Sequence, residues 1–157
     1  MAPAVFPGSF DPIHNGHLDI IGRAQSLFGG LTVLVMENPL KGKPRFTLEE
    51  RLAIVSESIS HIDNASAACF GGSLVEYLRQ TETRIVVKGL RGSLDVDSEM
   101  QMAQINRHLQ KQVETLFLPT DPALSYLTGT RIRELANLGL DVSSFVPKAA
   151  MISLERS

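Results

Sequence analysis

The chain has 157 residues, of which 43% are hydrophobic and 20% charged, a composition that is typical of a globular protein and excludes an extended disordered chain. Its net charge of −2 argues against binding to nucleic acid, and its single cysteine, Cys69, excludes an internal disulfide. No apolar stretch is long enough to cross a bilayer and the first residues lack a secretory signal pattern, so we expect a cytoplasmic protein that does not bind membranes.

Strand and helix signals alternate along the chain. The continuous apolar run LTVLVM at 31–36 is typical of a strand buried on both faces of a parallel sheet. Thr47 and Glu50 form a capping-box pattern, which predicts the start of a helix. In chain order we predict a strand at 3–6, a helix at 16–28, a strand at 31–36, a helix from Thr47, a strand at 65–70, a helix at 73–80, a strand at 84–88, a helix at 98–110, a strand at 113–119 and a helix at 130–138.

This alternation predicts the fold class. Five strands separated by helices favour an α/β, Rossmann-like, doubly wound parallel sheet with helices on both faces. We find no repeat, low-complexity tract or linker, so we expect a single domain over residues 1–157. In such sheets ligands bind beyond the carboxyl ends of the strands, which directs attention to the loops after strands one, two, four and five.

Those four loops carry hydrogen-bond donors, cations and glycines rather than clustered carboxylates. They read PGSFDPIHNGH, ENPLKGKPRF, GLRGSLD and TDPALSYLTGT. Neither of the common glycine-rich phosphate motifs is present. A helix that begins next to a strand end still offers backbone N–H groups to an anion. The loops therefore predict a site for a negatively charged ligand.

The first of these loops places His14 and His17 three residues apart, and three interpretations are open. A zinc site needs three or four ligands, and the two histidines with Asp11 supply too few good ones. A plain turn is a serious alternative, because Asp-Pro and Asn-Gly are common turn dipeptides. Two histidines beside two glycines at a helix start favour phosphate binding, with Gly16 allowing close approach of the ligand.

The residues Gly8 to Pro12, followed by His14-x-Gly16-His17, resemble the motif of the HIGH nucleotidyltransferase superfamily. Three longer stretches narrow the resemblance to the phosphopantetheine adenylyltransferase family of coenzyme A biosynthesis. These stretches are NPLKGKPRFTLEERLAIV, VVKGLRGSLDVDSEMQMAQINRHL and, more loosely, FVPKAAMISL. The resemblance covers nearly the whole chain.

The resemblance implies a catalytic set and an acceptor-binding set. His17 matches the histidine that stabilises the transition state on the transferred α-phosphate, and Lys41 matches a lysine that binds the phosphate of the acceptor. Gly42 looks like an insertion, so Lys43 could exchange roles with Lys41. The implied catalytic residues are His17, Lys41 and Arg91, and the implied acceptor-binding residues are Ser9, Lys41, Leu74 and Lys88.

The ATP site implied by the resemblance extends over three loops. The chain departs from the family in the last of them, where LSYLTGTRIRE replaces a run of small hydroxyl residues. Thr128 and Thr130 keep hydroxyls, Gly129 keeps only its backbone N–H, and Arg133 is a further candidate. The implied ATP-binding residues are Ser9, Phe10, His14, His17, Gly89, Leu90, Arg91, Glu99, Leu124, Ser125, Tyr126, Leu127, Thr128, Gly129 and Thr130.

The reaction implied by the resemblance transfers AMP from ATP to 4′-phosphopantetheine, giving dephospho-coenzyme A and pyrophosphate without a covalent intermediate. Mg²⁺ is expected as the cofactor, bound mainly through the ATP phosphates, with no metal ligands assigned to the chain. The family resemblance also implies a homohexamer. Two other functions stay open, namely a sister transferase that acts on nicotinate mononucleotide and a nucleotide-binding regulator without turnover.

Overall fold

A computed structural model describes residues 2–157 and contains one five-stranded sheet in the order β3-β2-β1-β4-β5. All four strand pairings are parallel. The predicted fold class is therefore confirmed. The strands are β1 (Ala4–Gly8), β2 (Leu31–Met36), β3 (Ala65–Phe70), β4 (Ile85–Leu90) and β5 (Glu114–Pro119).

The helices predicted from the sequence are present, with two differences. The fourth begins at Ser93 rather than at 98, because its first turns point apolar side chains such as Leu94 (97% exposed) at solvent and so show no buried periodicity. The last helix, which buries Ala150 and Leu154, was not predicted. The helices are α1 (Asn15–Phe28), α2 (Leu48–Ser58), α3 (Leu74–Thr81), α4 (Ser93–Leu109), α5 (Gly129–Asn137) and α6 (Lys148–Arg156).

Alternate residues of the central strands build two hydrophobic cores, one on each face of the sheet. In β2, Val33 and Val35 face the larger core, whereas Leu34 faces the smaller one. The larger core includes buried residues of α1, α2, α5 and α6, and the smaller includes Leu78 of α3. This two-sided burial explains why β2 is apolar throughout. Within residues 2–157, no helix combines the length and the apolar character that a membrane crossing requires.

The middle strand of the sheet, β1, and its neighbour β4 separate toward their carboxyl ends. Five consecutive residues of β1 pair with β2, but the pairing of β1 with β4 stops at Val5 and Val86. The strand order switches here: β2 and β3 lie on one side of β1, whereas β4 and β5 lie on the other side. A crevice at such a switch point is the usual ligand site of this architecture. β4 also continues past the predicted end at 88, because Gly89 and Leu90 still pair with β5.

We expect Thr47→Ala to lower the free energy of unfolding by about 1 kcal/mol, because Thr47 caps α2. Its side chain accepts a hydrogen bond from the backbone N–H of Glu50, and the Glu50 carboxylate accepts one from the backbone N–H of Thr47. Urea denaturation measures the change. Ser56→Ala, on the exposed face of the same helix, is the matched control. An equal loss in both variants would contradict the capping role.

Candidate active site

A cavity of about 390 Å³ lies at the carboxyl ends of β1, β2, β4 and β5. The loops singled out in the sequence meet there. Most of the predicted site residues line it: Ser9, Phe10, His14, His17, Lys41, Lys43, Lys88, Gly89, Arg91, Glu99, Leu124, Leu127, Thr128, Gly129, Thr130 and Arg133.

Four predicted site residues do not line this cavity. Leu74 packs beside the smaller hydrophobic core. The backbone carbonyl of Leu90 accepts a hydrogen bond from the N–H of Thr120, and the hydroxyl of Ser125 donates one to the carbonyl of Pro122. Tyr126 is 61% exposed, and its ring packs edge-on against that of Phe145. Their assignments to substrate binding stay predictions from the resemblance.

His14 and His17 cap the start of α1 reciprocally. The Nδ1 atom of His14 accepts a hydrogen bond from the backbone N–H of His17 at 3.3 Å. The Nδ1 atom of His17 accepts one from the backbone N–H of His14 at 3.1 Å. The two rings stack, with 3.6 Å between their centroids. Because each Nδ1 is an acceptor, a neutral ring in this arrangement carries its proton on Nε2.

The environment keeps both rings uncharged at neutral pH. Burial, and secondarily the charge of Arg91, lowers the pKa of His14 to about 4. Burial is the first cause that holds the pKa of His17 well below its usual value. The next causes are repulsion from His14 once that ring is protonated and the positive charges of Arg91, Lys88 and Lys41. Each Nε2–H is therefore a neutral hydrogen-bond donor. A neutral imidazole at a helix start suits the recognition of a phosphate oxygen without a proton transfer.

Two glycines make room for aromatic rings in the first loop. A Cβ on Gly16 would lie 3.0 Å from the ring of His14, so this glycine accommodates the histidine, a task that the sequence analysis did not assign to it. A Cβ on Gly8 would lie 3.0 Å from the ring of Phe10. Phe10 is 2% exposed, and its ring meets that of His17 edge-on at 4.8 Å. These contacts set the direction of the His17 ring.

The last loop brings the N-terminus of α5 to the same cavity. Thr128 caps this helix by accepting a hydrogen bond from the backbone N–H of Arg131. A Cβ on Gly129 would lie 3.3 Å from the backbone oxygen of Asp11 and 3.1 Å from Arg133 Nη1. The glycine at this departure from the family pattern thus permits close packing of α5 against the first loop.

Ion pairs hold most of the charged groups of the cavity. Lys88 Nζ lies 3.5 Å from Glu99, Arg91 Nε lies 3.3 Å from Asp95, and the guanidinium of Arg133 lies 3.6 Å from Asp11. Arg51 pairs with Glu37 at 2.8 Å. Lys41 and Lys43 form no ion pair with residues 2–157 and are exposed on the loop after β2. These two lysines are the cations most readily available to an incoming anion.

Two residues that organise the cavity were not predicted from the sequence to do so. Asp11 was interpreted as a turn residue or a weak zinc ligand, but its carboxylate accepts the backbone N–H groups of Arg45 at 2.9 Å and Phe46 at 3.1 Å. Arg51 is only 1% exposed and holds together the loop after β1, the end of β2 and the loop before α2. Its position between Leu48 and Val55 on the apolar face of α2 was the available signal, because a buried arginine needs several acceptors. The local patterns that contain Asp11 gave no sign of its hydrogen bonds to Arg45 and Phe46, which are distant in sequence.

The residues described by the structure, 2–157, contain no group of three or more histidine, cysteine, aspartate or glutamate side chains arranged to hold a metal ion. The Nδ1 atoms of His14 and His17 are already engaged with the backbone. The phosphate interpretation of this loop fits the geometry better than the zinc interpretation.

Comparison with known proteins places the chain in a family. The cytidylyltransferase-like family model matches residues 5–135. The phosphopantetheine adenylyltransferase of Alkaliphilus metalliredigens is 42% identical over 99% of each chain. That of Corynebacterium diphtheriae is 46% identical over 98% of this chain and 96% of its own. This chain belongs to the phosphopantetheine adenylyltransferase family. The family resemblance is confirmed, and the chain is a nucleotidyltransferase enzyme.

A solved structure shows the same fold at low identity. The crystal structure named "Putative Nicotinate-nucleotide Adenylyltransferase", from Vibrio parahaemolyticus, superposes with a TM-score of 0.70 over 97% of each chain, at 16% identity. At this identity the likeness supports the fold class and carries no argument about the acceptor.

The lowered pKa values predict that stability falls as the pH falls below about 6.5, the ordinary histidine value. Below pH 6.5 these histidines bind protons in the unfolded chain, whereas the folded rings stay neutral, and this difference lowers the free energy of unfolding. The contribution of the neutral rings to stability is therefore complete above pH 6.5 and is lost as the pH falls toward 4. The slope reaches about 1.4 kcal/mol per pH unit for each ring. Denaturation at several pH values measures it.

His14→Asn keeps an acceptor for the helix cap but removes one titrating ring, so we expect a shallower pH dependence. Ser56→Ala, on the exposed face of α2, removes no titrating group, so it is the control and should keep the wild-type dependence. An unchanged slope in His14→Asn would contradict the buried neutral state of that ring.

Proposed function

We propose that this cavity transfers AMP from ATP to 4′-phosphopantetheine and releases dephospho-coenzyme A and pyrophosphate. The observation that carries the proposal is the stacked, neutral His14–His17 pair, which lies at a helix start near the cations Lys41, Lys88 and Arg91. Anionic groups on both substrates match that environment. The choice of acceptor rests on the curated relatives of that name, which match almost the full length of the chain.

The chemistry asks for positioning rather than for a strong base. An oxygen of the acceptor phosphate attacks the α-phosphorus of ATP, and the bond from that phosphorus to the bridging oxygen of the β-phosphate breaks. A phosphate monoester is largely dianionic at neutral pH, so the attacking oxygen needs no deprotonation. The Nδ1 atoms of the two histidines accept hydrogen bonds from the backbone, and within residues 2–157 neither ring donates one to a carboxylate, which is consistent with this need. Cys69 lies on β3 and not on the cavity wall, so we assign it no covalent role.

Each charged or donor group then has a role in this direct transfer. His17 donates its Nε2–H to an α-phosphoryl oxygen as charge develops there, and His14 fixes the orientation of that ring. Lys41, or Lys43 beside it, and Lys88 bind the phosphate of the acceptor. Arg91 stabilises the charge around the transferred group. Ion pairs with Glu99 and Asp95 hold Lys88 and Arg91 before substrate arrives, so these two cations need little reorganisation during the reaction.

The carboxylates around the cavity are engaged in ion pairs, which is consistent with a metal ion that enters bound to ATP rather than one held by the protein. Asp11, Glu37, Asp95 and Glu99 each lie in an ion pair with a lysine or arginine, so they are poorly placed to form a protein metal site. Mg²⁺ bound through the ATP phosphates would neutralise part of the charge on the leaving pyrophosphate. The cytoplasmic location and the homohexamer also stay predictions from the sequence and the family.

We expect ATP with 4′-phosphopantetheine to yield pyrophosphate, and ATP with nicotinate mononucleotide to yield none. A coupled pyrophosphate-release assay measures both reactions under the same conditions. Equal turnover of the two acceptors would contradict the proposed acceptor. Tight ATP binding with no release from either acceptor would favour a nucleotide-binding regulator instead.

We expect His17→Ala to lower kcat by about 10²–10³, because one preorganised donor to the transition state is lost. The dissociation constant of ATP should change much less. His17→Gln should recover part of kcat, since its amide N–H can take the place of Nε2–H. His14→Ala should lower kcat less than His17→Ala.

His61→Ala is the matched control at an exposed position and should leave both constants unchanged. Calorimetric titration with ATP and initial rates with both substrates separate the two effects. A His17→Ala enzyme with wild-type kcat would show that the histidine does not act on the transferred group.

A further inference from the structure

Arg51 is a buried cation, and each of its three guanidinium nitrogens donates to a protein acceptor. It lies on α2 and is 1% exposed. Its Nη1 atom donates to the carbonyls of Ser9 at 2.8 Å and Met36 at 3.0 Å. Its Nε atom donates to the carbonyls of Phe46 and Thr47. One guanidinium thus ties together the loop after β1, the end of β2 and the loop before α2.

The hydrogen bond to Ser9 determines the direction of a backbone donor. The Ser9–Phe10 peptide is trans, and in a trans peptide the carbonyl and the next N–H point in opposite directions. With the Ser9 carbonyl directed at Arg51, the N–H of Phe10 points away from Arg51. Within residues 2–157 this N–H meets no acceptor, although Phe10 is 2% exposed and lines the cavity. A buried donor of this kind normally has a partner, which a bound ligand would supply.

The backbone of Phe10 has a strained conformation that neighbouring groups must hold in place. Its φ of 47° is in the left-handed region, where a residue with a side chain is strained. Strain of this kind persists only where the surroundings fix the conformation. The ring of Phe10 is held edge-on by Phe6 and His17, and the preceding carbonyl is held by Arg51.

We propose that Arg51 is a positioning residue that orients the Ser9–Phe10 peptide so that the Phe10 N–H meets a phosphate oxygen of the nucleotide. Arg51 itself stays occupied by four carbonyls and Glu37 and acts through the peptide. The identity of the nucleotide rests on the proposed function, whereas the orientation of the peptide does not.

A lysine at position 51 separates charge from geometry. Lysine keeps the positive charge, but its single nitrogen has three donors and cannot reproduce the planar set of an arginine. We therefore expect Arg51→Lys to lower kcat by about 10²-fold while the dissociation constant of ATP changes far less. Initial rates and calorimetry measure these two quantities below the melting temperatures of all variants.

The orientation itself is read from the backbone amide of Phe10. The chain has seven phenylalanines, so selective ¹⁵N-phenylalanine labelling gives few signals, and the Phe10 signal is assigned by its loss in Phe10→Leu. On addition of ATP we expect this amide to shift most among the phenylalanines in the wild type. In Arg51→Lys the shift should become much smaller.

Val55→Ala is the control for a purely structural effect. Val55 lies one turn further along α2, is fully buried and does not line the cavity, so this variant should melt earlier and keep its kcat. Wild-type kcat in Arg51→Lys, an equal loss in Val55→Ala, or an unchanged Phe10 shift would each overturn the proposal. If the wild type fails to use 4′-phosphopantetheine, the proposed function fails, but the ATP-induced shift of Phe10 still tests Arg51.

Discussion

The reciprocal cap between His14 and His17 is the interaction on which the rest of the site depends. The same two hydrogen bonds begin α1, fix the tautomer of each ring and hold the rings in a stack. Burial in that stack then keeps both rings neutral. The positive charges of Arg91, Lys88 and Lys41 lower the pKa of His17 further, and Phe10 packs edge-on against its ring. A single local motif thereby supplies a helix N-terminus and a directed neutral donor at the crevice between β1 and β4.

The surroundings of that pair support the proposed direct transfer, which needs neither a base nor a covalent intermediate. Cations in ion pairs, such as Lys88 with Glu99, are already oriented, while Lys41 and Lys43 stay exposed to meet substrate. Asp11 and Arg51 bind backbone groups of neighbouring loops and so connect the loop of Lys41 and Lys43 to the loop of Ser9. In the proposed transfer, the rate enhancement comes from fixed dipoles and charges rather than from proton transfer.

The sequence predicted the features that depend on local physics and missed those that depend on distant contacts. The apolar run of β2 and the box at Thr47 are readable because their causes lie within a few residues. The start of α4 was missed because Leu94 faces solvent. α6 was missed because it has only nine residues and buries two of them, Ala150 and Leu154, which is a weak periodic pattern. Among site residues, the histidine motif was recognisable, but the bonds from Asp11 to Arg45 and Phe46 span more than thirty residues and leave no spacing pattern.

The most direct test of the neutral histidine pair is ¹⁵N NMR of the histidine rings across a pH titration. The ring nitrogens report protonation and tautomer separately. The geometry predicts that His14 and His17 carry a proton on Nε2 and none on Nδ1 from neutral pH down to about pH 5, since burial lowers the pKa of His14 to about 4 and that of His17 well below its usual value. It also predicts that ATP perturbs the Nε2 signal of His17. A doubly protonated ring at neutral pH, or a proton on Nδ1 of either ring, would contradict the reciprocal cap and the role built on it.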